Sequence, residues 1–189
     1  AHSNVFIGYW AGRGQSLYSN GLTASCNVFI GTRTATNTST SGNVLIGACI
    51  DNSRDIQQNT LVGFRAGSAL GWDGAGSDCG LTGSYNTMIG FGAGCCVREG
   101  YCNTYLGWRV AGGGISYNYN NTFIGADSAY CVKGGDFSTG NFENTTLGFR
   151  SGYYMCNSNS RNTFIGSNAG FTQSTSSVCN SIEIGRAHV

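Results

Sequence analysis

Nine cysteines carry most of the chemistry this chain offers, because thiols cross-link, ligate metals or act as nucleophiles. Six of them form three pairs, each 23 residues apart: Cys26 with Cys49, Cys79 with Cys102, and Cys156 with Cys179. The spacing suits partners on adjacent turns of a coil, so a disulfide is expected for each pair, pinning one turn to the next. Cys95, Cys96 and Cys131 are left over, which leaves at least one thiol unpaired or bonded to another chain. A zinc site has little to build on: there is no Cys-x-x-Cys pair, and the only histidines are His2 and His188. Those two lie at opposite ends of the chain, where neither can activate a serine or cysteine nucleophile. The carboxylates are scattered through turns with no acid–base pair at strand spacing. No catalytic residue, metal or cofactor is therefore assigned, and the chain reads as a non-enzyme.

Two further patterns could bind or carry sugar. Sequons at Asn37, Asn120 and Asn144 are glycosylation candidates. Arginines at Arg33, Arg65, Arg109 and Arg150 each follow a recurring glycine by two places, often beside an aromatic, as in Phe64-Arg65, Trp108-Arg109 and Phe149-Arg150. Such a column either stacks on sugars and grips an acidic partner or forms a solvated outer edge.

The element that must position these residues is a repeat. The phrase Asn-(Val/Thr)-x-(Ile/Leu/Val)-Gly starts at Asn4, Asn27, Asn43, Asn59, Asn86, Asn103, Asn121, Asn144 and Asn162, with a tenth copy at Ser181. Its glycines are spaced by 16 to 27 residues, so one wall of each unit is constant while the return path varies. That predicts an all-β fold: a parallel β-solenoid, or β-roll, of about ten rungs forming one domain over residues 1–189, stapled by disulfides. No rung is stable alone, since ordering about twenty residues costs on the order of 20 to 40 kcal/mol and each buried aliphatic returns roughly 1.5 to 3 kcal/mol.

With the asparagine as position zero, strand alternation places positions one and three on one face. Position three is always aliphatic, from Ile7 to Ile184, and is placed inside the coil. Position two is then outward, yet reads Phe6, Phe29, Leu45, Leu61, Met88, Tyr105, Phe123 and Phe164, a stripe expected to be an interface covered by a return strand or another subunit. Position four is always glycine, suited to positive φ or to close backbone approach. The leading asparagines either form a hydrogen-bonded ladder or serve the turn before the strand. A threonine rank at Thr60, Thr87, Thr104, Thr122, Thr145 and Thr163 invites an ice-binding reading, which is set aside because the rank shares its face with the aliphatics placed inside.

The fullest copy, Asn162-Thr163-Phe164-Ile165-Gly166-Ser167-Asn168-Ala169-Gly170, resembles the repeats of trimeric autotransporter adhesin heads and of some phage tail fibres. The resemblance covers nearly the whole chain through short motif copies. It implies a parallel β-roll serving as a rigid extracellular binding head or stalk, often trimeric, and brings no catalytic residues.

Composition narrows the setting. Glycine supplies 31 residues and proline none, only 10% of residues are charged, and the net charge is +1. That balance argues against nucleic acid or an anionic membrane as partner, and no apolar run reaches the roughly 18 residues of a span. Nine cysteines, a single lysine (Lys133) and the sequons favour an extracellular or cell-surface location. The start at Ala1 reads as a mature, processed product. Phrases running close to both ends leave no polar cap, so one subunit is expected to continue the coil on the next, as in a fibre. The expected function is thus the structural subunit of an extracellular filament, its partner itself, with glycans attached or bound. The alternative is an adhesin head or tail-fibre segment that binds surface glycans through the turns near Trp72, Trp108 and Tyr117.

Overall fold

The computed structural model describes residues 3–13, 25–34, 41–50, 56–68, 83–113, 115–131, 141–155, 159–171 and 179–185. Each phrase becomes a short strand, as its β-branched and aromatic residues favour. These are β1 (Val5–Ile7), β2 (Val28–Thr32), β3 (Val44–Ala48), β4 (Thr60–Val62), β5 (Thr87–Ile89), β7 (Thr104–Leu106), β9 (Thr122–Ile124), β11 (Thr145–Leu147), β12 (Thr163–Ile165) and β13 (Ile182–Ile184). They pair in that order into one ten-stranded parallel sheet. Phrase aligns on phrase without slip: Phe29 sits opposite Leu45, Leu61 opposite Met88, and Tyr105 opposite Phe123. The chain is a parallel β-solenoid, all β, with no helix among the described residues.

A second wall faces the first. β6 (Val97–Tyr101), β8 (Ile115–Tyr119) and β10 (Asn141–Phe142) form a three-stranded parallel sheet. Isolated bridges extend it from Ser25 through Ser41, Gln57 and Ser84 to Tyr101, and from Phe142 through Ser160 to Cys179. Tyr101, Tyr119 and Phe142 stack along it at 5.5 and 5.4 Å between ring centroids.

Corners close each rung through left-handed backbone. The residue before the phrase has positive φ in every rung, including Cys26, Gln58, Tyr85, Cys102, Asn120 and Glu143. The residue two places after the phrase glycine does so in the nine rungs where it is described, including Arg65, Arg109, Asp127 and Arg150. Position four needs glycine for closeness too: a Cβ on Gly31 would lie 1.7 Å from the Gly47 carbonyl oxygen of the next rung.

The core is built from position two, not position three. Phe29, Leu45, Leu61, Met88, Tyr105, Phe123 and Phe164 are fully buried, and Phe6 in the first rung stacks on Phe29 at 5.0 Å. Small residues at position seven, Ala66, Ala93, Ser128, Ser151 and Ala169, pack inside with them. The expected interface stripe is therefore the interior. The expected interior, position three, faces solvent: Ile46, Ile89, Leu106 and Leu147 are all exposed. Period two keeps positions zero, two and four on one side, and the buried asparagines fix that side as inward. Two rungs break the apolar rule, at Thr146 and Glu183, and both exceptions are matched locally: the Thr146 hydroxyl pairs with the Ser128 hydroxyl, and the Glu183 carboxylate accepts the Gly170 N–H at 2.9 Å.

Candidate functional surface

The asparagines form one continuous ladder through the solenoid. From Asn4 to Asn144 the side-chain oxygen accepts both the backbone N–H and the side-chain NH₂ of the next asparagine, and Asn162 accepts the Ser181 N–H at 2.9 Å. For Asn121 onto Asn103 these contacts are 2.9 and 3.2 Å, and for Asn144 onto Asn121 they are 2.9 and 3.0 Å. The same NH₂ group also donates across the core to the second wall, as from Asn103 to the Asn118 carbonyl at 2.8 Å. Every polar atom of such an amide is used, which is what allows a column of primary amides to be buried.

This geometry sorts the glycosylation candidates. Asn144 is fully buried, and its Nδ2 donates to Asn121 and to the Asn159 carbonyl, so the folded chain has no room for a glycan there. Asn120 occupies an exposed left-handed corner with its side chain toward solvent. Asn37 lies outside the described residues.

Among the described residues no disulfide is formed, so the expected stapling finds no support there. Cys26 and Cys49 are thiols at opposite ends of the strand wall. Cys26 precedes β2, whereas Cys49 aligns with Arg33, seven residues further along the rung below. At about 3.3 Å per residue that separation far exceeds the reach of a disulfide. Cys102 occupies the same corner as Cys26, with Tyr85 and Asn120 as its neighbours in the rungs on either side. Cys179 lies on the second wall, 3.3 Å from the Ser160 hydroxyl. Their intended partners Cys79 and Cys156 are outside the described residues. Cys95 and Cys96 bring their sulfurs to 3.5 Å. The Cys96 contact, then burial, pushes the Cys95 thiol far above its usual range, so it stays protonated and is a poor nucleophile. No group of three or more His, Cys, Asp or Glu side chains among the described residues could hold a metal ion.

The arginine column assembles one polar cluster. Arg109, Asp127 and Arg150 occupy the same corner of three consecutive rungs. The buried Asp127 carboxylate lies 3.7 Å from Arg109 Nε and 3.8 Å from Arg150 Nε. Arg109 covers the rings of Trp108 at 4.7 Å and Tyr130 at 4.1 Å, and Arg150 covers those of Phe149 at 4.9 Å and Tyr153 at 5.5 Å. The guanidiniums are thus held by aromatic faces and a shared carboxylate. Trp72, part of the sugar-binding expectation, is outside the described residues.

The largest feature is one that the sequence reading placed inside. Positions one, three and five of the rungs form the outward face of the ten-stranded sheet. Position one is valine or threonine in nine rungs, position three is isoleucine, leucine or valine throughout, and position five holds Tyr9, Phe64, Phe91, Trp108 and Phe149. Leu106 is 44% exposed and Trp108 46%. Phe64 and Phe91 stack along the column at 5.3 Å. Among the described residues no charged residue occurs at these positions; position five of the tenth rung is Arg186, outside the described residues. The threonine rank lies on this open face, so the burial argument against it does not hold. No protein-family model matches the chain, and neither a curated protein nor a solved structure matches it.

Proposed function

We propose that the chain is a structural subunit of an extracellular filament, built by head-to-tail stacking of solenoid rungs on those of another copy. The observation that carries this reading is uniformity. All ten strands share one register, and over the nine asparagine-led rungs the amide ladder, the glycine contacts and the corner conformations recur, while the tenth rung keeps the register with Ser181 in place of the asparagine and Glu183 at position two. The upper surface of each asparagine-led rung is therefore complementary to the underside of any other, and a strand edge presented by such a rung templates further pairing. An interface that translates along an axis without closing gives a fibre. The cysteine-rich, lysine-poor composition supports the extracellular setting. The self-pairing geometry supports the chain itself as partner. The resemblance to adhesin heads and tail-fibre repeats accords with a rod-like, non-catalytic role, with Asn120 as the sequon placed to carry sugar.

Negative-stain electron microscopy across a concentration series tests the proposal. One ten-rung stack spans about 45 Å, so particles of uniform width that lengthen with concentration are expected. Particles that never exceed a single stack refute head-to-tail assembly. A second reading, an adhesin head or tail-fibre segment that binds glycans, is favoured by the aromatic–arginine cluster around Trp108, Arg109, Phe149 and Arg150. Glycan-array binding that is lost in Trp108→Ala distinguishes it.

A further inference from the structure

Cys95 and Cys96 stand side by side in sequence where the backbone reverses, and the reversal decides their chemistry. In an extended strand neighbouring side chains point to opposite faces, so adjacent thiols do not meet. Here the two cysteines occupy the middle places of a turn, closed by the Val97 N–H donating to the Gly94 carbonyl at 3.1 Å. The turn is anchored before them by the Cys95 N–H on the Gly92 carbonyl at 3.2 Å and the Gly94 N–H on the Val110 carbonyl at 2.8 Å. After them it is anchored by β6, which Val97 begins. As a result the two sulfurs lie 3.5 Å apart.

The surroundings leave the pair within reach of small molecules. Both cysteines are partly exposed. The rung above presents Gly112 and Gly113 at the matching places, and neither can carry a side chain. A Cβ on Gly112 would lie 2.9 Å from the Tyr130 ring, and one on Gly113 would lie 2.1 Å from the Tyr130 carbonyl oxygen. Backbone therefore faces the thiols from that side, with the Gly112 carbonyl oxygen 3.8 Å from Cys95 Sγ. Position six of the cysteines' own rung is Gly92, where the nearest atoms to a Cβ would be Arg109 Cγ and Cys95 Sγ, both at 3.8 Å. Cys95 Sγ thus borders an open corner.

We propose that Cys95 and Cys96 are a redox site of the solenoid, a dithiol that low-molecular-weight disulfides convert reversibly into a disulfide across the turn. The site depends neither on end-to-end assembly nor on glycan binding. Cys96 attacks first: its thiolate displaces one thiolate from the small disulfide and forms a mixed disulfide. The Cys96 contact is the largest of the effects that hold the Cys95 thiol up, burial is the next, and the nearby Arg65 acts in the opposite sense. Attack removes the first of these, so Cys95 gives its proton to the departing thiolate, attacks the Cys96 sulfur and displaces the second thiol. Two protein thiols are thereby oxidised to one disulfide, and the small disulfide is reduced to two thiols that carry both protons away. Residues joined by a trans peptide hold their Cα atoms about 3.8 Å apart, below the usual disulfide range of roughly 4.4 to 6.8 Å. Such a bond is strained and easily reduced, which suits exchange rather than stapling.

Peptide mapping tests this, because chymotryptic cleavage after Phe91 and Tyr101 releases Gly92–Tyr101, whose only cysteines are Cys95 and Cys96. The reduced, folded chain is incubated with oxidised glutathione, quenched with acid, blocked with N-ethylmaleimide in urea, digested and weighed by mass spectrometry. The peptide is expected to be unblocked and lighter by two hydrogens than the dithiol form, and to return doubly blocked after treatment with reduced glutathione. Cys95→Ser is expected to accumulate a glutathione adduct on Cys96, and Cys96→Ser to form one on Cys95 about tenfold or more slowly. In unfolding urea, where the turn is lost, the ratio of closed to open pair at a fixed glutathione poise is expected to fall about tenfold or more. A doubly blocked peptide after oxidation overturns the proposal. So does a peptide bridged to Cys131 or to another chain, or one carrying glutathione on both sulfurs. A closed pair that resists reduced glutathione overturns the exchange, and a faster adduct on Cys95 than on Cys96 overturns the order of attack. An equal ratio in urea shows that adjacency rather than the fold makes the bond, and overturns the site as well.

Discussion

Truncating Asn103 to alanine removes the middle of the asparagine ladder, and the structure sets the size of the loss. The Asn103 amide donates to Asn86 Oδ1 at 3.0 Å and to the Asn118 carbonyl at 2.8 Å, and its oxygen accepts from the Asn121 N–H at 2.9 Å and the Asn121 NH₂ at 3.2 Å. In Asn103→Ala the Asn121 NH₂ keeps the carbonyls of Tyr119 and Asn141 as acceptors. The buried Asn121 N–H has no such reserve, and the Asn118 carbonyl loses a donor. A buried donor left without a partner costs about 1 to 3 kcal/mol and each lost bond about 1 kcal/mol, so the variant should lose about 3 to 5 kcal/mol. The neighbouring Asn120→Gly serves as control, because that side chain is exposed and its φ of 57° suits glycine, so the change should stay within about 0.5 kcal/mol. Urea unfolding followed by far-ultraviolet circular dichroism measures both. If Asn103→Ala unfolds within about 1 kcal/mol of the wild type, the ladder is not a principal source of stability and the reasoning fails.

Gly31→Ala places a methyl 1.7 Å from the Gly47 carbonyl at a φ of 130°, so a loss above about 3 kcal/mol is expected in the same unfolding assay. Tyr105 is buried with its hydroxyl accepting a bond of 3.0 Å from Asn118, and burial pushes its phenol far above its ordinary value. Stability from this group is therefore full below pH about 10, where the unfolded phenol begins to ionise, and declines as pH rises beyond it. Tyr105→Phe should flatten that alkaline decline while costing about 1 to 2 kcal/mol at neutral pH, because the Asn118 NH₂ loses its acceptor; pH-dependent melting curves decide the point. Tyr85 is an exposed corner residue at φ 61°, and Tyr85→Gly should raise stability by about 0.5 to 1 kcal/mol by relieving left-handed strain, unless differential scanning calorimetry shows the melting temperature falling.

Much of the architecture was legible because the repeat is invariant where the backbone is most constrained. Glycine at position four recurs since no Cβ fits between successive rungs, and asparagine at position zero recurs since it alone presents one acceptor and two donors in the geometry that the ladder uses. A feature forced by every neighbouring rung shows itself as a phrase, and the phrase was enough to place ten parallel strands in register. The corners were less readable. Left-handed φ at Gln58, Tyr85, Glu143 and Arg161 falls on residue types with no strong preference for it, because hydrogen bonds to the flanking rungs impose it.

What misled was the inference from composition to side. Alternation pairs positions one and three correctly but leaves open which face is inward, and an aliphatic at position three in every rung looks like core. The deciding residue is polar. If position zero is the buried amide ladder, parity sends position two inside with it, so Phe29, Leu45 and Tyr105 belong to the interior and Ile46 and Leu106 to the surface. The Cys26–Cys49 pair failed for a related reason. A separation of 23 residues approximates one turn but says nothing about where on the turn each sulfur stands, and Cys26 before the strand cannot reach Cys49 beyond its far end. In a solenoid the coordinate that governs contact is position within the rung, and distance along the chain informs it only after the rungs have been aligned. Once they are, the aliphatic column that resembled a core falls on the outward face of the ten-stranded sheet, where Ile46, Ile89, Leu106 and Leu147 are exposed, and the aromatic column that resembled an outer stripe falls inside.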